Sequence, residues 1–460
     1  MLNQNTKNRG THARDLTKGS PYRLIISFAL PLLLSQIFQQ LYNTADSLIV
    51  GRFLGTEALA AVSSSGSVIF LLTSFFDGTA MGAGVIISRY FGAKDNDRAT
   101  RAIHTNLAFG LVSGVILTVV GVLFTPTLLT WLNTDPDVMP QAIEYFRYYF
   151  FGATALILYN ICRGIMSALG DSKRPLYYLI FSSVLNVLLD LLFLGVFGFG
   201  VWSAAIATVI SQVASVVLCM IHLLRRSDDF RVSIKKIRFH WDMLGEIIRY
   251  GLPSGVQNSV IALANVIVLS QINSFGTFAT AAFGSHAKIE GFVFMPIISF
   301  NMAITTFIGQ NLGAREYNRA QKGARFGIGT ALLLSETIGL LYYVFAPFLI
   351  SLFDSTPEVV AMGVQQARTA ALFYFLLSFS HTIAAVCRGA GRAFVPMLVM
   401  LSVWCVLRVA YIQFVMTYFG EIHYIYWAYP ITWGISSVIY LIYYLSADWV
   451  HGFEKKQKTA

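Results

Sequence analysis

The sequence has little charge, and its cysteines do not form a metal or redox motif. Only 12% of the 460 residues are charged, 56% are hydrophobic, and the mean hydropathy is +0.63. Soluble domains carry about 25% charged residues, so this composition excludes a string of soluble domains and indicates a lipid bilayer as solvent. The four cysteines lie in apolar stretches without CxxC or zinc-type spacing, which predicts packing thiols and no metal cofactor.

Several other signals are missing. Residues 1–20 are polar and basic without an apolar core, so we expect no cleavable signal peptide. The formal charge of +10 does not indicate nucleic-acid binding, because the basic residues are divided among short segments between apolar stretches. P-loop, HExxH and Ser/His/Asp patterns are absent, so neither ATP hydrolysis nor a hydrolytic reaction is predicted.

Apolar windows long enough to cross a bilayer recur along nearly the whole chain. A span needs ~20 apolar residues to cross ~30 Å of hydrocarbon. We therefore predict an all-α integral membrane protein with twelve transmembrane helices. They lie near residues 22–48, 58–87, 102–125, 143–165, 175–197, 201–224, 244–272, 278–308, 326–350, 359–387, 394–419 and 424–447.

The distribution of Lys and Arg predicts the orientation. An even number of spans places both termini on one side, and most of the 33 Lys and Arg residues fall in the segments of that side, Arg163 and Arg388 included. The positive-inside rule makes that side cytoplasmic. We expect a multi-pass protein of the plasma (inner) membrane, with acidic residues in the opposite loops at Asp135, Asp137, Asp354, Glu358 and Glu421.

The chain also contains an internal repeat. SFALPLLLSQIFQQLYN (27–43) aligns with RYGLPSGVQNSVIALAN (249–265), and ICRG (161–164) aligns with VCRG (386–389), about 221 to 225 residues apart. A repeat of six spans keeps its orientation, so we predict two six-helix bundles related by a pseudo-two-fold axis along the membrane normal. The predicted parts are an N-terminal tail (1–20), an N-lobe (21–224), a basic linker (225–243), a C-lobe (244–447) and a C-terminal tail (448–460).

Two carboxylic acids are predicted at similar depth in the N-lobe. Asn186 and Asp190 share a helical face, and Asp190 lies ~24 Å along the helix from Arg174, at a level that Asp46 also reaches. A closed hydrogen-bond network is one interpretation, but carboxylates are expensive to bury when amides would serve. The repeat counterpart of Asp46 is Val268 and that of Asp190 is Tyr411, so the fold does not require an acid at either position. We therefore favour a cation or proton site.

Uncharged polar residues follow a stripe on the first span and its repeat counterpart. Gln36, Gln40 and Asn43 have roughly helical spacing, and Asn258 and Asn265 are the counterparts of Gln36 and Asn43. Such a stripe should face the protein interior, which makes these residues candidates for substrate binding.

The C-lobe has its own intramembrane charges. Lys288 and Glu290 lie in span eight and Arg408 in span eleven. Glu290 and Arg408 should both lie near mid-depth, where they either pair as structural ions or line a pocket for a cationic substrate; both interpretations stay open. The lone His381 favours a packing role.

Five segments of the chain carry a family resemblance: ALPLLLSQIFQQLYNTADSLIVGRFLG (29–55), SRYFGAKD (88–95), CRGIMSALGDSKRP (162–175), NVLLDLLFLGVFGFGVWSAAIAT (186–208) and IEGFVFMPIISFNMAITTFIGQNLGA (289–314). Together they resemble the multidrug and toxic compound extrusion transporters, and within that family the bacterial branch of Gram-positive multidrug exporters. Their order and repetition make the resemblance specific.

The resemblance implies a monomeric antiporter whose two bundles enclose a V-shaped cavity. It would export amphipathic, often cationic small molecules in exchange for H⁺ or Na⁺, without a cofactor. The family's cation site maps onto Asp46, Asn186, Asp190 and Thr208, and Glu290 matches an acid that some members use toward cationic drugs. Acids that another branch carries in spans seven and ten are missing here, which argues against a Na⁺ site in the C-lobe.

Two alternatives remain. A lipid-linked oligosaccharide flippase of the same superfamily would need several cavity cations, for which only Lys288 and Arg408 qualify, offset by Glu290. A polytopic enzyme acting on a lipid would need a cluster of catalytic or metal-binding residues, and the sequence contains none.

Overall fold

A computed structural model describes residues 15–131, 134–451 and 453. Most of both predicted tails therefore lies outside the described residues. Within the described part, the secondary structure is helical, without strands, and the predicted all-α membrane fold is confirmed.

The helices follow the order of the predicted spans. Eleven predicted spans correspond to helices or bent helix pairs that are long and apolar enough to cross a membrane. The remaining one, the second, is helix α2, some of whose side chains lie outside the described set. The segments are α1 (Pro21–Gly55), α2 (56–92), α3 (Asn96–Trp131), α4 (Met139–Phe151 and Ala153–Ala168), α5 (Lys173–Val196), α6 (Trp202–Leu224), α7 (Trp241–Asn273), α8 (Thr277–Gly313), α9 (Tyr317–Ser351), α10 (Pro357–Ala371 and Tyr374–Gly389), α11 (Phe394–Tyr418) and α12 (Ile422–Ser446).

Several spans are not straight, which the apolar windows could not predict. Gly55 separates α1 from α2 with φ 86° and ψ −171°, a backbone conformation that glycine adopts without steric cost. The two parts of α4 meet at 47° and those of α10 at 53°. Residues Leu191–Val196 of α5 and Met400–Leu407 of α11 are π-helical. These two spans occupy equivalent places in the two lobes, so the distortion is part of the repeat.

Glycines bring α2 of the N-lobe into backbone contact with α7 of the C-lobe. A Cβ at Gly78 would overlap the backbone of Gly255, and a Cβ at Gly82 would overlap that of Gly251. Membrane helices lack a hydrophobic drive to associate with each other, so such close backbone packing supplies much of the association energy. These contacts hold the two lobes together near the middle of α2.

A second contact joins α2 to α8 and shows the pseudo-two-fold relation directly. A Cβ at Gly92 would overlap the carbonyl oxygen of Gln310, and a Cβ at Gly313 would overlap that of Arg89. Gly92 and Gly313 hold equivalent places in the repeat, 221 residues apart, as do Arg89 and Gln310. Such a reciprocal contact is what a two-fold axis between the lobes requires.

The N-terminal segment closes the same end of the molecule. The Leu16 N–H donates to Gln310 Oε1 at 3.0 Å, and Asn311 Nδ2 donates to the Leu16 carbonyl at 3.2 Å. Gln310 Nε2 donates to the Ala168 carbonyl of the other lobe at 2.8 Å. The two lobes are therefore in direct contact at the end of the molecule that carries the Lys- and Arg-rich segments. The space between the lobes lies beyond this contact, toward the opposite end.

The linker between the lobes packs against the start of α3. The Ser233 N–H donates to His104 Nε2 at 3.0 Å, and Asn96 Nδ2 donates to an Asp229 carboxylate oxygen at 2.6 Å. The described linker is thus attached to the N-lobe.

The charge distribution generates a labelling prediction. Lys235 and Asp137 are both exposed, on opposite faces, and the four native cysteines are buried. In intact cells, a membrane-impermeant maleimide should label Asp137→Cys and leave Lys235→Cys unlabelled until the cells are permeabilised. Labelling of Lys235→Cys in intact cells would reverse the orientation.

The glycine contacts generate a stability prediction. Gly82→Ala should lower the thermal unfolding temperature of the purified protein, because the added Cβ forces α2 from α7 at a cost of roughly 1 to 3 kcal/mol. Gly329→Ala in α9 is the matched control, since its Cβ would meet no atom within 4 Å. Equal unfolding temperatures for the two variants would contradict the close packing.

Candidate functional site

A cavity of about 660 Å³ lies between the lobes. Its walls come from α1, α2 and α4 of the N-lobe and from α7, α8, α10, α11 and α12 of the C-lobe. This volume is in the range of small-molecule sites, and a position between two domains is typical of them.

The C-lobe wall contains both predicted charges, but they are not joined. Glu290 accepts a hydrogen bond from the Tyr374 hydroxyl at 3.4 Å, and its Oε1 lies 3.8 Å from His286 Nε2. Arg408 is 2% exposed and donates to Thr432 Oγ1 at 2.9 Å and 3.3 Å. No ion pair within 4.0 Å joins Glu290 to Arg408 in the described chain, so a direct structural pair is not formed.

Aromatic rings surround the Arg408 guanidinium. Its Cζ lies 4.5 Å from the ring centre of Tyr429 and 5.2 Å from that of Trp404. His381, also on the wall, contacts Trp404 edge-on at 5.1 Å, and its Nε2 is buried without a hydrogen-bond partner. The wall therefore combines flat apolar surfaces with a few polar groups, as is typical of small-molecule sites.

The predicted polar stripe lines the cavity only in part. Gln36, Asn258 and Asn265 are on the wall, whereas Gln40 and Asn43, further along α1, are not among the described lining residues. Asn258 Nδ2 also donates to the Ser74 carbonyl of α2 at 3.4 Å, so it takes part in the contact between lobes.

The cavity cations differ from those expected. Lys288 does not line the cavity; it is exposed, with its Nζ 5.5 Å from the Phe353 ring centre. Arg163 and Arg388, interpreted from the sequence as topology signals, line the wall instead, together with Arg408. The alignment of ICRG with VCRG is the sequence signal that could have identified them. An arginine that occurs at the same position in both halves can have a role in the fold or the site other than setting the membrane topology.

The four residues mapped to the cation site come together inside the N-lobe. Asp46 is 8% exposed, Asp190 and Asn186 are fully buried, and Thr208 is 5% exposed. The carboxyl groups of Asp46 and Asp190 lie next to each other. This site does not line the central cavity.

Asn186 links Asp190 to α6. With its amide oriented to satisfy both neighbours, Asn186 donates to Asp190 Oδ2 at 3.0 Å and accepts from the Thr208 N–H at 3.2 Å. The Oδ1 atoms of Asp46 and Asp190 are buried without a hydrogen-bond partner. Two contacting carboxylates repel each other, so the pair requires a shared proton or a bound cation.

Local backbone geometry and nearby tyrosines add to this site. Asp190 is the last α-helical residue before the π-helical turn of α5, and π-helical turns occur frequently at functional sites. Tyr42 lies near Thr208 and Asp46, and Tyr145 and Tyr149 also lie near Asp46. Nothing in the sequence distinguishes these tyrosines from the many lipid-facing aromatic residues, so they could not be predicted as part of the site.

Comparisons with known proteins identify the family. The MatE family model matches residues 31–192 and 253–412, one match in each lobe. The chain is 31% identical to the probable multidrug resistance protein YoeA of Bacillus subtilis, over 93% of this chain and 94% of the relative. It is 26% identical to a FAD transporter of Shewanella oneidensis, over 74% and 75% of the two chains.

Among solved structures, an outward-facing multidrug resistance MATE family transporter of the MOP superfamily has the same fold. The TM-score is 0.89 at 24% identity, over 95% of this chain and 98% of that one. Members of the matched family are transporters, not enzymes, so a membrane enzyme is excluded. The chain therefore belongs to the MatE family of multidrug efflux transporters and is an integral, multi-pass membrane transporter.

Proposed function

We propose that this protein is a secondary active antiporter that exports amphipathic, often cationic compounds in exchange for H⁺ or Na⁺. The observation that carries the proposal is the buried contact between Asp46 and Asp190, enclosed in one lobe beside a cavity shared by both. The runner-up, a flippase of lipid-linked oligosaccharides, would use the same cavity.

The carboxyl pair supplies the coupling. An antiporter needs a group whose charge state or ion occupancy differs between its two facing states. Contacting carboxyl groups meet this need, because one proton or one Na⁺ held between them relieves their mutual repulsion, which returns when the cation leaves. Asn186 and Thr208 would hold Asp190 in place and offer oxygen ligands to Na⁺.

The carboxyl pair joins α5 to α1, and α1 also borders the cavity. Asp46 lies on α1, whose Gln36 lines the cavity, and Asp190 lies on α5 at the π-helical turn. Loss of the cation would push α1 from α5, and a shift of α1 would change the cavity wall. Coupling therefore requires no direct contact between ion and substrate.

The C-lobe wall would select the substrate. Glu290 lies on the wall with only weak partners, so it offers a negative charge to a cationic group. Trp404 and Tyr429 offer faces on which a flat aromatic cation can stack.

The orientation follows from the charge distribution. We propose that both termini and the basic linker are cytoplasmic, in the plasma (inner) membrane. In this orientation the described state is closed toward the cytoplasm by the α2–α8 contact, and a drug entering from inside requires that contact to open.

Asp190→Asn tests the coupling. The substitution keeps the size and hydrogen bonding of the side chain but removes its titration, so the purified protein should fold and lose gradient-driven efflux. The measurement is efflux of a fluorescent cation from proteoliposomes under separately imposed pH and Na⁺ gradients. Whichever gradient drives the parental protein identifies the coupling ion.

The matched control is Asp354→Asn, which makes the same change at an acid outside both sites. It should transport at the parental rate. Gradient-driven efflux by folded Asp190→Asn at the parental rate would rule out the proposed coupling role.

Glu290→Gln tests substrate selection. Efflux of a dicationic compound should fall by roughly fivefold or more, because the variant loses a charge attraction in a site shielded from water, while efflux of a neutral compound changes little. Glu358→Gln, at an exposed acid, is the control. Equal losses for both compounds would indicate a structural role for Glu290.

A further inference from the structure

Arg388 is a buried cation on the cavity wall without an acidic partner. It is 8% exposed and lies in the last turn of α10, and its Nε is buried without a hydrogen-bond partner. No carboxylate lies within 4.0 Å of it in the described chain. Burying a guanidinium without an acceptor is costly, so a structural role alone explains this position poorly.

Two other arginines at the same end of the molecule form ion pairs with acidic residues. Arg174 lies 3.4 Å from Asp171, and Arg226 forms an ion pair with Asp228. Arg388 gains some stabilisation from the carboxyl end of α10, because the helix dipole favours a positive charge there. That attraction does not provide an acceptor for Nε.

The backbone of α10 holds Arg388 in this place. The next residue is Gly389, where a Cβ would lie 2.7 Å from the Thr305 carbonyl oxygen of α8. Only glycine permits this approach without a shift, so α10 is pressed against α8 one residue beyond the guanidinium. The position of Arg388 at the wall is therefore determined by close helix packing.

The repeat places a second arginine on the wall from the other lobe. Arg163 of the ICRG segment is the counterpart of Arg388 and also lines the cavity. The described lining residues include three arginines, with Arg408, but only two carboxylic acids, Asp77 and Glu290. Arginine stays protonated in proteins, so the cavity carries an excess of positive charge even when both acids are ionised.

We propose that Arg388, aided by the field of Arg163, binds the carboxylate or phosphate group of an amphipathic substrate. This inference deepens the proposed function, since it rests on the central cavity being the substrate site. A guanidinium presents several N–H donors in a planar fork that matches both anionic groups. Phe294 and Trp404 on the same wall would receive the apolar part of the molecule.

Equilibrium binding to the purified protein tests this site. The probes are a fluorescent xanthene dye with a free carboxylate and the methyl ester of the same dye, followed by fluorescence anisotropy. The parental protein should bind the carboxylate dye more tightly than the ester. Arg388→Gln should weaken binding of the carboxylate dye by about tenfold and leave the ester within about twofold, because only the former loses a charge-assisted hydrogen bond.

Two further variants separate the site from a general effect. Arg388→Lys keeps the charge and should restore part of the preference, even if the glutamine variant folds poorly. Arg249→Gln removes an exposed arginine outside the cavity and should bind both dyes as the parental protein does. Equal weakening of both dyes by Arg388→Gln, or no preference in the parental protein, would overturn the proposal.

A competition experiment with lipids distinguishes a lipid headgroup from a soluble anion as the source of the anionic group. Phosphatidylglycerol and phosphatidylcholine are added to the detergent micelles in turn. Competition by phosphatidylglycerol that is lost in Arg388→Gln would assign the site to a lipid headgroup, and its absence would assign it to solutes. Binding needs no gradient, so these results stand apart from the transport tests of Asp190→Asn.

Discussion

The backbone contact of α2 with α7 and α8 is the constraint on which the rest of the structure depends. At Gly78, Gly82 and Gly92 a side chain would overlap the backbone of the other lobe. In a bilayer, the association of lobes cannot rely on hiding apolar surface from water, so it depends on such close packing and on hydrogen bonds. Because the lobes are in contact along α2, α7 and α8, the cavity lies between the parts of the lobes that this contact does not join.

The two lobes share a fold but not a chemistry. The N-lobe encloses the Asp46 and Asp190 pair, and the equivalent positions of the C-lobe are Val268 and Tyr411. The C-lobe instead contributes Glu290 and Arg408 to the cavity wall. In the proposed mechanism the ion therefore acts in one lobe and substrate selection depends mainly on the other. The close contact of α2 with the C-lobe is then the mechanical link between them.

Much of the architecture, and the acids that meet in the N-lobe, could be predicted from the sequence. Hydropathy located the spans, because every lipid-exposed span must satisfy its backbone within a helix. The cost of burying charge identified Asp190, and the family resemblance added Thr208. The wall was predicted less well: Lys288 was wrong as a cavity cation, and Gln40 and Asn43 lie off the described wall. Residue type and depth do not determine on which side of a helix a residue lies once helices bend.

By itself, the sequence determined the helical class, the repeat and the presence of two acids in the N-lobe, since lipid penalises unpaired polar groups wherever they lie. Only the tertiary structure decided that Asp46 contacts Asp190 while Glu290 and Arg408 stay apart, and that Arg163 and Arg388 reach the cavity. Those outcomes depend on the bends of α4 and α10, the π-helical turns and the glycine contacts. These features are determined by the packing of neighbouring helices, which a linear pattern of residue types does not specify.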